Sequence, residues 1–387
     1  MILSEKMILP GQTIGIIGGG QLGRMMAMAA KARGFRIAVL DPVDDCPCGQ
    51  VADQQIIGEY NDLQAVQKLA QISDVVTYEF ENIDADALSW LELNAYVPQG
   101  TSLLRITQDR ISEKQAIQKA GIPVADYEII EHLEDVYVGL AKLGYPAVLK
   151  TARGGYDGKG QLVIRDEEDI ANAAELLYMG KCVLEKWIPF KKEISVIVSR
   201  NMSGETTVFP VAENIHRNNI LHQTIVPARI SKQAESEATK LATQLAVSLD
   251  LAGTLAVEMF LTEQDTILIN ELAPRPHNSG HFTIEACVTS QFEQHILSVC
   301  NWPLGSTELL TPAVMVNILG QHQAPVISRL KELKDWKIHL YGKKEAKPNR
   351  KMGHVTILRS SVSEAIEEAD QSGIWERTTE QIGGQSK

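Results

Sequence analysis

The sequence lacks any apolar run long enough to cross a membrane. No stretch approaches the roughly 20 consecutive apolar residues that span a bilayer. The first residues carry one lysine and no continuous apolar segment of the kind found in a secretory signal. We therefore expect a cytoplasmic protein that does not associate with membranes.

Cysteines are few, and acidic residues outnumber basic ones. Five cysteines in 387 residues, without paired C-x-x-C spacing, indicate reduced thiols rather than a disulfide framework. Cys46 and Cys48 have no second pair to complete a metal site, so no metal is assigned to them. The net charge of −12 argues against a general nucleic-acid-binding protein, and each basic cluster therefore needs a local explanation.

The chain is too long for one ordinary core, and it begins with the pattern of a parallel α/β unit. Strands are predicted over residues 13–17 and 35–40, with a helix over residues 24–33 between them. A G-x-G-x-x-G run from 18 to 23 precedes the helix, and Asp41 follows the second strand. This spacing is typical of dinucleotide sites, so an NAD-dependent dehydrogenase is one hypothesis. More generally, the free N–H groups of such a helix suit any phosphate.

A further helix and strand are predicted over residues 62–72 and 74–78. The strand runs into Glu79 and Glu81, whose side chains point to the same side because side chains alternate along a strand. Acids at the carboxyl end of a parallel strand lie where open α/β sheets bind ligands. We expect these two to face a ligand, the alternative being solvated strand-end residues.

The middle of the chain has a glycine-rich turn between two strands, predicted over residues 145–150 and 162–164. A P-loop would instead open onto a helix and carry Gly-Lys-Ser/Thr. The turn is more similar to the flap that kinases close over phosphates. Lys150 before the turn and Lys159 within it supply positive charge, and we expect both to contact phosphate.

Other features near this turn also suit a nucleotide. The strand predicted over residues 182–188 stops before Pro189, which leaves main-chain groups free for an adenine edge, while Glu193 beyond it suits ribose hydroxyls. Residues 213–219 are predicted to form a polar loop. Helices are predicted over two segments, the first with Ser112 as its N-cap: 113–120 and 233–249.

Two alternating runs, residues 255–261 and 266–272, predict an antiparallel hairpin with one buried face. If the turn is centred after Gln264, Glu258 lies directly opposite Glu271. A three-residue turn would instead shift the pairing by one residue.

Facing carboxylates on a sheet repel each other, so a positive charge is expected between them. Together with the amide oxygen of Asn270, Glu258 and Glu271 suit a hard cation such as Mg²⁺, with phosphate oxygens and water as the remaining ligands. The loop that follows, residues 273–281, concentrates a cation, two imidazoles and turn-forming residues in a short segment. We therefore predict a nucleotide–metal site at this hairpin.

The C-terminal part is predicted to contain a helix, over residues 291–301, and a small sheet. The strands of this sheet are expected over residues 333–338 and 355–358, and a further strand is expected over residues 309–319. A basic cluster between the last two strands is either a solvated loop or a local anion site, and it consists of Lys343, Lys344, Lys347, Arg350 and Lys351.

The chain resembles the ATP-grasp ligases in the order and spacing of four features. These are Lys150, the glycine-rich flap at residues 155–161, the strand end at 185–188 and the hairpin with Glu258. A narrower resemblance, to the 5-(carboxyamino)imidazole ribonucleotide synthetases of bacterial and fungal purine biosynthesis, covers nearly the whole chain. It rests on residues 18–24, 78–82, 155–161, 273–281, 341–343 and 350–354.

The resemblance implies an α/β (α+β) fold with three domains. These are a Rossmann-like domain over residues 1–106, an ATP-grasp domain with the glycine-rich flap over residues 107–300, and a small C-terminal β-rich domain over residues 301–387.

The implied activity is that of an ATP-dependent carbon–nitrogen ligase. ATP phosphorylates bicarbonate to carboxyphosphate, and the exocyclic amine of aminoimidazole ribonucleotide then takes up the carboxyl group, with release of ADP and phosphate. The implied cofactors are ATP and Mg²⁺, for which Mn²⁺ can substitute. The expected assembly is a homodimer without a nucleic-acid partner.

The resemblance also assigns roles to individual residues. Contacts with the nucleotide are expected from Arg110, Lys150, Gly155, Tyr156, Asp157, Gly158, Lys159, Gly160, Gln161, Glu185, Lys186, Trp187, Ile188, Glu193, His216, Asn270 and Glu271. The metal ligands are Glu258 and Glu271. The second substrate is expected to contact Gln21, Leu22, Glu79, Glu81, Asn278, Lys343 and Arg350. Catalysis is assigned to Tyr156, Asp157, Lys159, Arg275 and His277. Arg153 lies one residue later than the arginine usual in relatives, so it receives no role.

Three alternatives remain open from the sequence. An NAD-dependent dehydrogenase would leave the flap and the facing glutamates unexplained. A nucleotide sensor would bind ATP without turnover. A sibling ligase, such as a formate-using glycinamide ribonucleotide enzyme, would differ in its acceptor.

Overall fold

The N-terminal part of the computed structural model, which describes residues 6–155 and 159–375, is a parallel α/β unit. Its strands are β1 (Thr13–Ile17), β2 (Arg36–Asp41), β3 (Gln54–Ile57) and β4 (Val75–Tyr78). They pair in parallel in the order β3-β2-β1-β4. The helices of this part are α1 (Gln21–Lys31), α2 (Leu63–Gln71), α3 (Ala85–Asn94) and α4 (Ser102–Thr107). All of β4 and all but the first residue of β1 and β2 are buried, as expected for a parallel sheet.

Helix α5 (Arg110–Lys119) begins three residues before its predicted start, and the prediction of Ser112 as its N-cap is wrong. The carboxylate of Asp109 caps the helix, accepting hydrogen bonds from the backbone N–H groups of Ile111 and Ser112 at 3.1 Å. Aspartate caps a helix as well as serine does. The earlier start places Arg110 in the first turn, where it reaches the hairpin described below.

A small antiparallel sheet carries the glycine-rich flap. Its strands are β5 (Tyr127–Ile130), β6 (Ala147–Thr151), β7 (Gln161–Ile164) and β8 (Cys182–Lys186), in the order β5-β8-β6-β7. Helices that share its hydrophobic core are α6 (Leu133–Leu143) and α7 (Ala173–Tyr178). Lys150 faces Gln161 across β6 and β7, so the flap connects two paired strands, as predicted. The flap residues Tyr156, Asp157 and Gly158 lie outside the described residues.

The large central sheet has nine strands within the described residues. They are β9 (Phe190–Arg200), β10 (Thr206–Val208), β11 (Ala212–Arg217), β12 (Ile220–Val226), β13 (Gly253–Thr262), β14 (Ile267–Ala273), β15 (Ala313–Leu319), β16 (Lys337–Leu340) and β17 (Lys351–Leu358). Their order is β14-β13-β9-β11-β12-β15-β17-β16, with β10 paired to β9. The helices of this half are α8 (Lys232–Ser248), α9 (Thr283–Ala286), α10 (Gln291–Val299), α11 (Gly320–Ser328) and α12 (Val362–Gln371).

Residues 213–219 were predicted to be a loop, but most of them belong to β11, which pairs with β9 and β12. Only Asn218 and Asn219 form the turn, with φ values of 52° and 61°. Asparagine tolerates this left-handed conformation better than most residues do. The polar sequence hid the strand because Glu213 is buried in ion pairs rather than solvated.

The sequence predicted a small separate sheet containing β16 and β17, but both strands belong to the central sheet. β15 pairs with β12, so these strands extend the central sheet toward the C-terminus. Val316, Val355 and Ala369 belong to the hydrophobic core on this side. The C-terminal domain is therefore joined to the central one by continuous backbone hydrogen bonds.

The five cysteines are all buried and unpaired, as predicted for reduced thiols. Among the helices of the described residues, none is both long and apolar enough to traverse a bilayer.

Candidate active site

The site is built around the hairpin of β13 and β14. Glu258 lies directly opposite Glu271, as predicted from the sequence. Two carboxylates directly opposite each other destabilise a sheet unless positive charge lies nearby. The flanking strand β9 pairs with the other edge of β13, so the hairpin is held firmly in the central sheet.

The facing carboxylates depend on a bulge that the sequence did not reveal. The turn is the three-residue type, with the Thr262 N–H donating to the Thr266 carbonyl at 3.0 Å. It shifts the pairing near the turn by one residue, and the extra residue Asn270 shifts it back, so that Glu258 still faces Glu271. Bulges commonly re-aim side chains beside active sites.

Each carboxylate has a cationic or imidazole neighbour from a different element. Arg110 lies 3.1 Å from Glu271, and His277 Nε2 lies 3.2 Å from Glu258 Oε1. Desolvation, followed by the charge of Glu271, raises the pKa of Glu258 to about 7. Burial and the nearby Arg275 lower the pKa of His277 well below its usual value, so its imidazole is neutral near pH 7.

A hard cation fits between these groups. The side-chain oxygen of Asn270 is buried and has no hydrogen-bond partner among the described residues. Two carboxylates and this oxygen are the ligand types that Mg²⁺ takes, with phosphate and water oxygens completing the octahedron. Within the described ranges no cluster of three or more His, Cys, Asp or Glu residues could hold a metal, so protein ligands alone do not enclose an ion.

A cavity of about 600 Å³ opens above the hairpin and runs between the three parts of the chain. Phe190 and Phe260 stack on each other at one end, with ring centroids 4.7 Å apart, and Val148 and Leu221 add further apolar surface. Twenty of the predicted site residues line this cavity: Gln21, Leu22, Glu79, Arg110, Lys150, Lys159, Gly160, Gln161, Glu185, Lys186, Trp187, Ile188, Glu193, His216, Glu258, Asn270, Glu271, Arg275, His277 and Asn278.

Glu185 and Lys150 meet in the wall of the cavity. Lys150 Nζ lies 3.1 Å from Glu185 Oε2, and a second lysine, Lys114, lies 3.2 Å from Oε1. Burial alone would raise the pKa of Glu185, but the charges of Lys150 and Lys114 outweigh it and hold the pKa at about 2. Sequence reasoning missed Lys114 because it lies in a polar stretch of α5 that resembles a solvated helix face.

Glu193 and His216 form a second pair near the aromatic end, with Nδ1 2.5 Å from the carboxylate. Burial lowers the pKa of His216. The hydrogen bond and the charge of Glu193 together raise it by more, so the pKa of His216 lies above its ordinary value. The pair presents both a carboxylate and an imidazole to the cavity, which suits ribose hydroxyl groups.

The loop after β14 is fixed by hydrogen bonds to α10. Gln291 accepts from the His277 N–H at 2.8 Å and donates to the His277 carbonyl at 2.7 Å. Arg275 pairs with Glu81 at 2.7 Å, which links the loop to the end of β4. The amide of Asn278 is buried with neither its oxygen nor its nitrogen paired among the described residues. The loop therefore holds its polar groups in fixed positions, where they suit a small anion or a ligand amine.

The glycine-rich start of α1 is closed to an external phosphate. The Glu79 carboxylate accepts hydrogen bonds from the N–H groups of Gly20 and Gly23, the latter at 2.6 Å. Asp41, which would bind ribose in a dehydrogenase, accepts instead from the Gly19 N–H and the Tyr60 hydroxyl, each at 2.7 Å. A dinucleotide would have to displace both acids, so the geometry disfavours the dehydrogenase hypothesis.

Several predicted residues lie outside the cavity wall. Glu81 reaches the site only through Arg275, while Gly155 lies at the base of the flap. Lys343 donates a hydrogen bond to the Lys351 carbonyl at 2.8 Å, and Lys351 lines the cavity. Other lining residues were not predicted: Phe80, Ala125, Val148, Val163, Phe190, Asn219, Leu221, Phe260 and Lys351.

The basic cluster packs against the N-terminal unit. Gln50 donates to the Gly342 carbonyl at 3.0 Å, and Lys344 donates to the Asp44 carbonyl at 3.0 Å. Burial, followed by the charge of Arg350, lowers the pKa of Lys343 to about 8. Lys343 and Arg350 are therefore close enough to interact electrostatically.

Family models match most of the chain. A ribonucleotide synthetase preATP-grasp domain matches residues 11–108, an ATP-grasp domain matches residues 115–292, and a phosphoribosylaminoimidazole carboxylase C-terminal domain matches residues 313–368.

Curated relatives match at nearly full length. The N5-carboxyaminoimidazole ribonucleotide synthase of Bacillus subtilis (strain 168) is 57% identical over 95% of this chain and 96% of its own. The enzyme of the same name from Staphylococcus aureus (strain MRSA252) is 46% identical over 92% of this chain and 94% of its own.

Solved structures agree with these matches. An ADP complex of N5-carboxyaminoimidazole ribonucleotide synthetase has a TM-score of 0.94 and 60% identity, covering 96% of this chain and 98% of its own. An Aspergillus clavatus N5-carboxyaminoimidazole synthase, solved with ADP and 5-aminoimidazole ribonucleotide, has a TM-score of 0.88 and 32% identity, covering 94% and 98%. The chain belongs to the N5-carboxyaminoimidazole ribonucleotide synthase family of ATP-grasp enzymes.

Proposed function

We propose that the protein carboxylates 5-aminoimidazole ribonucleotide with bicarbonate at the expense of ATP. The products are 5-(carboxyamino)imidazole ribonucleotide, ADP and phosphate, a step of de novo purine biosynthesis that leads to IMP. The observation that carries the proposal is one continuous cavity. It joins an aromatic end, a facing pair of carboxylates and the loop that holds Arg275, His277 and Asn278.

ATP occupies the part of the cavity next to the small sheet. The adenine lies between apolar walls that include Phe190 and Phe260, and its edge meets the main chain where β8 ends, at 186–188. Glu193 and His216 take the ribose hydroxyls. The phosphates meet the cations and flap residues that line the cavity, namely Arg110, Lys150, Lys159, Gly160 and Gln161, with Gly155 at the base of the flap.

Glu258 and Glu271 would hold Mg²⁺, for which Mn²⁺ can substitute, and Asn270 would supply a neutral oxygen. The bound ion would neutralise phosphate charge during transfer. Arg110 and His277 keep the two carboxylates oriented toward the cavity. The site fits the ion for two reasons. The negative charge of Glu258 and Glu271 is not fully compensated, and the amide oxygen of Asn270 has no partner among the described residues.

The family resemblance implies two reaction steps. A bicarbonate oxygen attacks the terminal phosphorus of ATP, forming carboxyphosphate and ADP. The exocyclic amine then attacks the carboxyl carbon, phosphate leaves, and the amine loses a proton. Arg275 and Asn278 position the bicarbonate, and the neutral imidazole of His277 lines the same part of the cavity. Holding both reactants together and excluding water preserves the short-lived intermediate.

The ribonucleotide lies between the loop, the N-terminal unit and the basic cluster. Gln21, Leu22 and Glu79 form the far wall, with Glu81 behind Arg275. Lys343 and Arg350 bind the 5′-phosphate. The flap residues assigned to the side of the second substrate are Tyr156, Asp157 and Lys159.

We also propose that the protein acts in the cytoplasm as a homodimer, as the family resemblance implies. Light scattering in solution tests the assembly, because a particle of the chain mass of 42.6 kDa would exclude a dimer.

The function is tested by ADP release in a coupled assay from which each substrate is omitted in turn. We expect sustained release only when ATP, bicarbonate and aminoimidazole ribonucleotide are all present. Replacing the last two with formate and glycinamide ribonucleotide should abolish it, since the acceptor pocket differs between the sibling ligases. Equal release without aminoimidazole ribonucleotide would contradict the proposed acceptor.

Glu271→Gln should lower kcat by at least about a hundredfold, because it removes one metal ligand and leaves Arg110 without its carboxylate partner. Glu263→Gln, in the exposed turn of the same hairpin, is the matched control and should retain native activity. Circular dichroism should show an unchanged fold for both variants. Native kcat in Glu271→Gln would remove the metal assignment.

Lys343→Ala should raise the KM for the ribonucleotide about tenfold or more while changing the KM for ATP by less than about twofold, because a charge-assisted contact to phosphate is lost. Lys347→Ala removes an exposed lysine of the same cluster, paired with Glu345, and serves as control. Steady-state kinetics with each substrate varied measures both values. An equal rise in the two KM values would place the phosphate site elsewhere.

A further inference from the structure

Lys114 is a buried lysine that is not part of the cavity lining. Its side chain is 1% exposed. Its Nζ lies 3.2 Å from Glu185 Oε1 and 5.7 Å from the centre of the Tyr127 ring. It therefore connects α5 to the small sheet that carries the flap.

Glu185 is shared by two lysines that differ in their access to ligands. Lys150 reaches its Oε2 from the cavity side, whereas Lys114 reaches its Oε1 from the protein interior. Only Lys150 is therefore able to leave Glu185 and meet a ligand in the cavity. Lys114 has no such alternative, because its side chain is enclosed by protein.

Burying a lysine is energetically unfavourable, and a buried ion pair is not the most stabilising way to hold a helix against a sheet. Replacing a buried ion pair with apolar residues is often neutral or stabilising. Removing one partner, in contrast, leaves the other charge buried and uncompensated. If Lys150 moves away from Glu185, the charge of Lys114 therefore still balances the buried carboxylate.

We propose that Lys114 is a positioning residue that holds Glu185 in place and ionised while Lys150 contacts the phosphates of ATP. The inference rests on the proposed phosphate contact of Lys150. Without Lys114, a carboxylate that is 4% exposed would lose its last partner whenever Lys150 turned to the nucleotide. Lys150 would then remain on Glu185, and nucleotide binding would weaken.

The test is the variant Lys114→Met, which keeps the length of the side chain and removes the charge. We expect the KM for ATP to rise about tenfold or more, with less than about a twofold change in the KM for the ribonucleotide. Lys114→Arg restores the charge and should recover most of the ATP affinity. Lys142→Met is the matched control, because it breaks a more exposed pair that joins α6 to Glu128 of the same small sheet. Equal changes for both substrates, or no recovery with arginine, would overturn the proposal.

A comparison in the Glu185→Gln background covers the case in which Lys114→Met alone folds poorly. Once Glu185→Gln has removed the buried charge, adding Lys114→Met should weaken ADP binding by less than about twofold. A larger further loss of ADP affinity in that background would contradict a role through Glu185. Calorimetric titration with ADP reports on the nucleotide site alone. It therefore distinguishes failure of this inference from failure of the proposed carboxylation, which would show only in the assay with all substrates.

Discussion

Repulsion between Glu258 and Glu271 is the constraint on which the site depends. The two carboxylates face each other across adjacent strands, and such a pair is unfavourable unless cations or imidazoles stand beside it. The chain supplies these from separate elements, Arg110 from the first turn of α5 and His277 from the loop after β14. Each carboxylate thus has one partner within the protein, and the buried side-chain oxygen of Asn270 beside them has no hydrogen-bond partner among the described residues.

The rest of the fold builds the walls of the cavity around this pair. The central sheet holds the hairpin, the small sheet brings Lys150 and Lys159 to the cavity, and the N-terminal unit closes the far side. In the N-terminal unit an internal carboxylate, Glu79, occupies the helix terminus that a dinucleotide would use. The Rossmann-like unit thus forms one wall of the cavity. The same principle, a buried charge matched by the protein itself, recurs at Glu185, where Lys114 and Lys150 share one carboxylate.

Local patterns in the sequence were sufficient for much of this layout. Alternation predicted the hairpin and its facing glutamates, and the glycine-rich turn between two strands predicted the flap. Interactions between residues distant in sequence were not predictable in the same way. The stacking of Phe190 on Phe260 requires the pairing of β9 with β13, and the burial of Lys114 requires packing of α5 on the small sheet. The bulge at Asn270 also escaped prediction, because no proline or glycine marks it.

The most direct test of the central claim is water proton relaxation by Mn²⁺ in the presence of ADP. Ions bound to protein and nucleotide together enhance relaxation more than the Mn²⁺–ADP complex does. We expect the native protein to give this enhancement and a folded Glu258→Gln/Glu271→Gln variant to give only the value measured without protein. Native enhancement in that variant would contradict a divalent ion held by the two facing carboxylates.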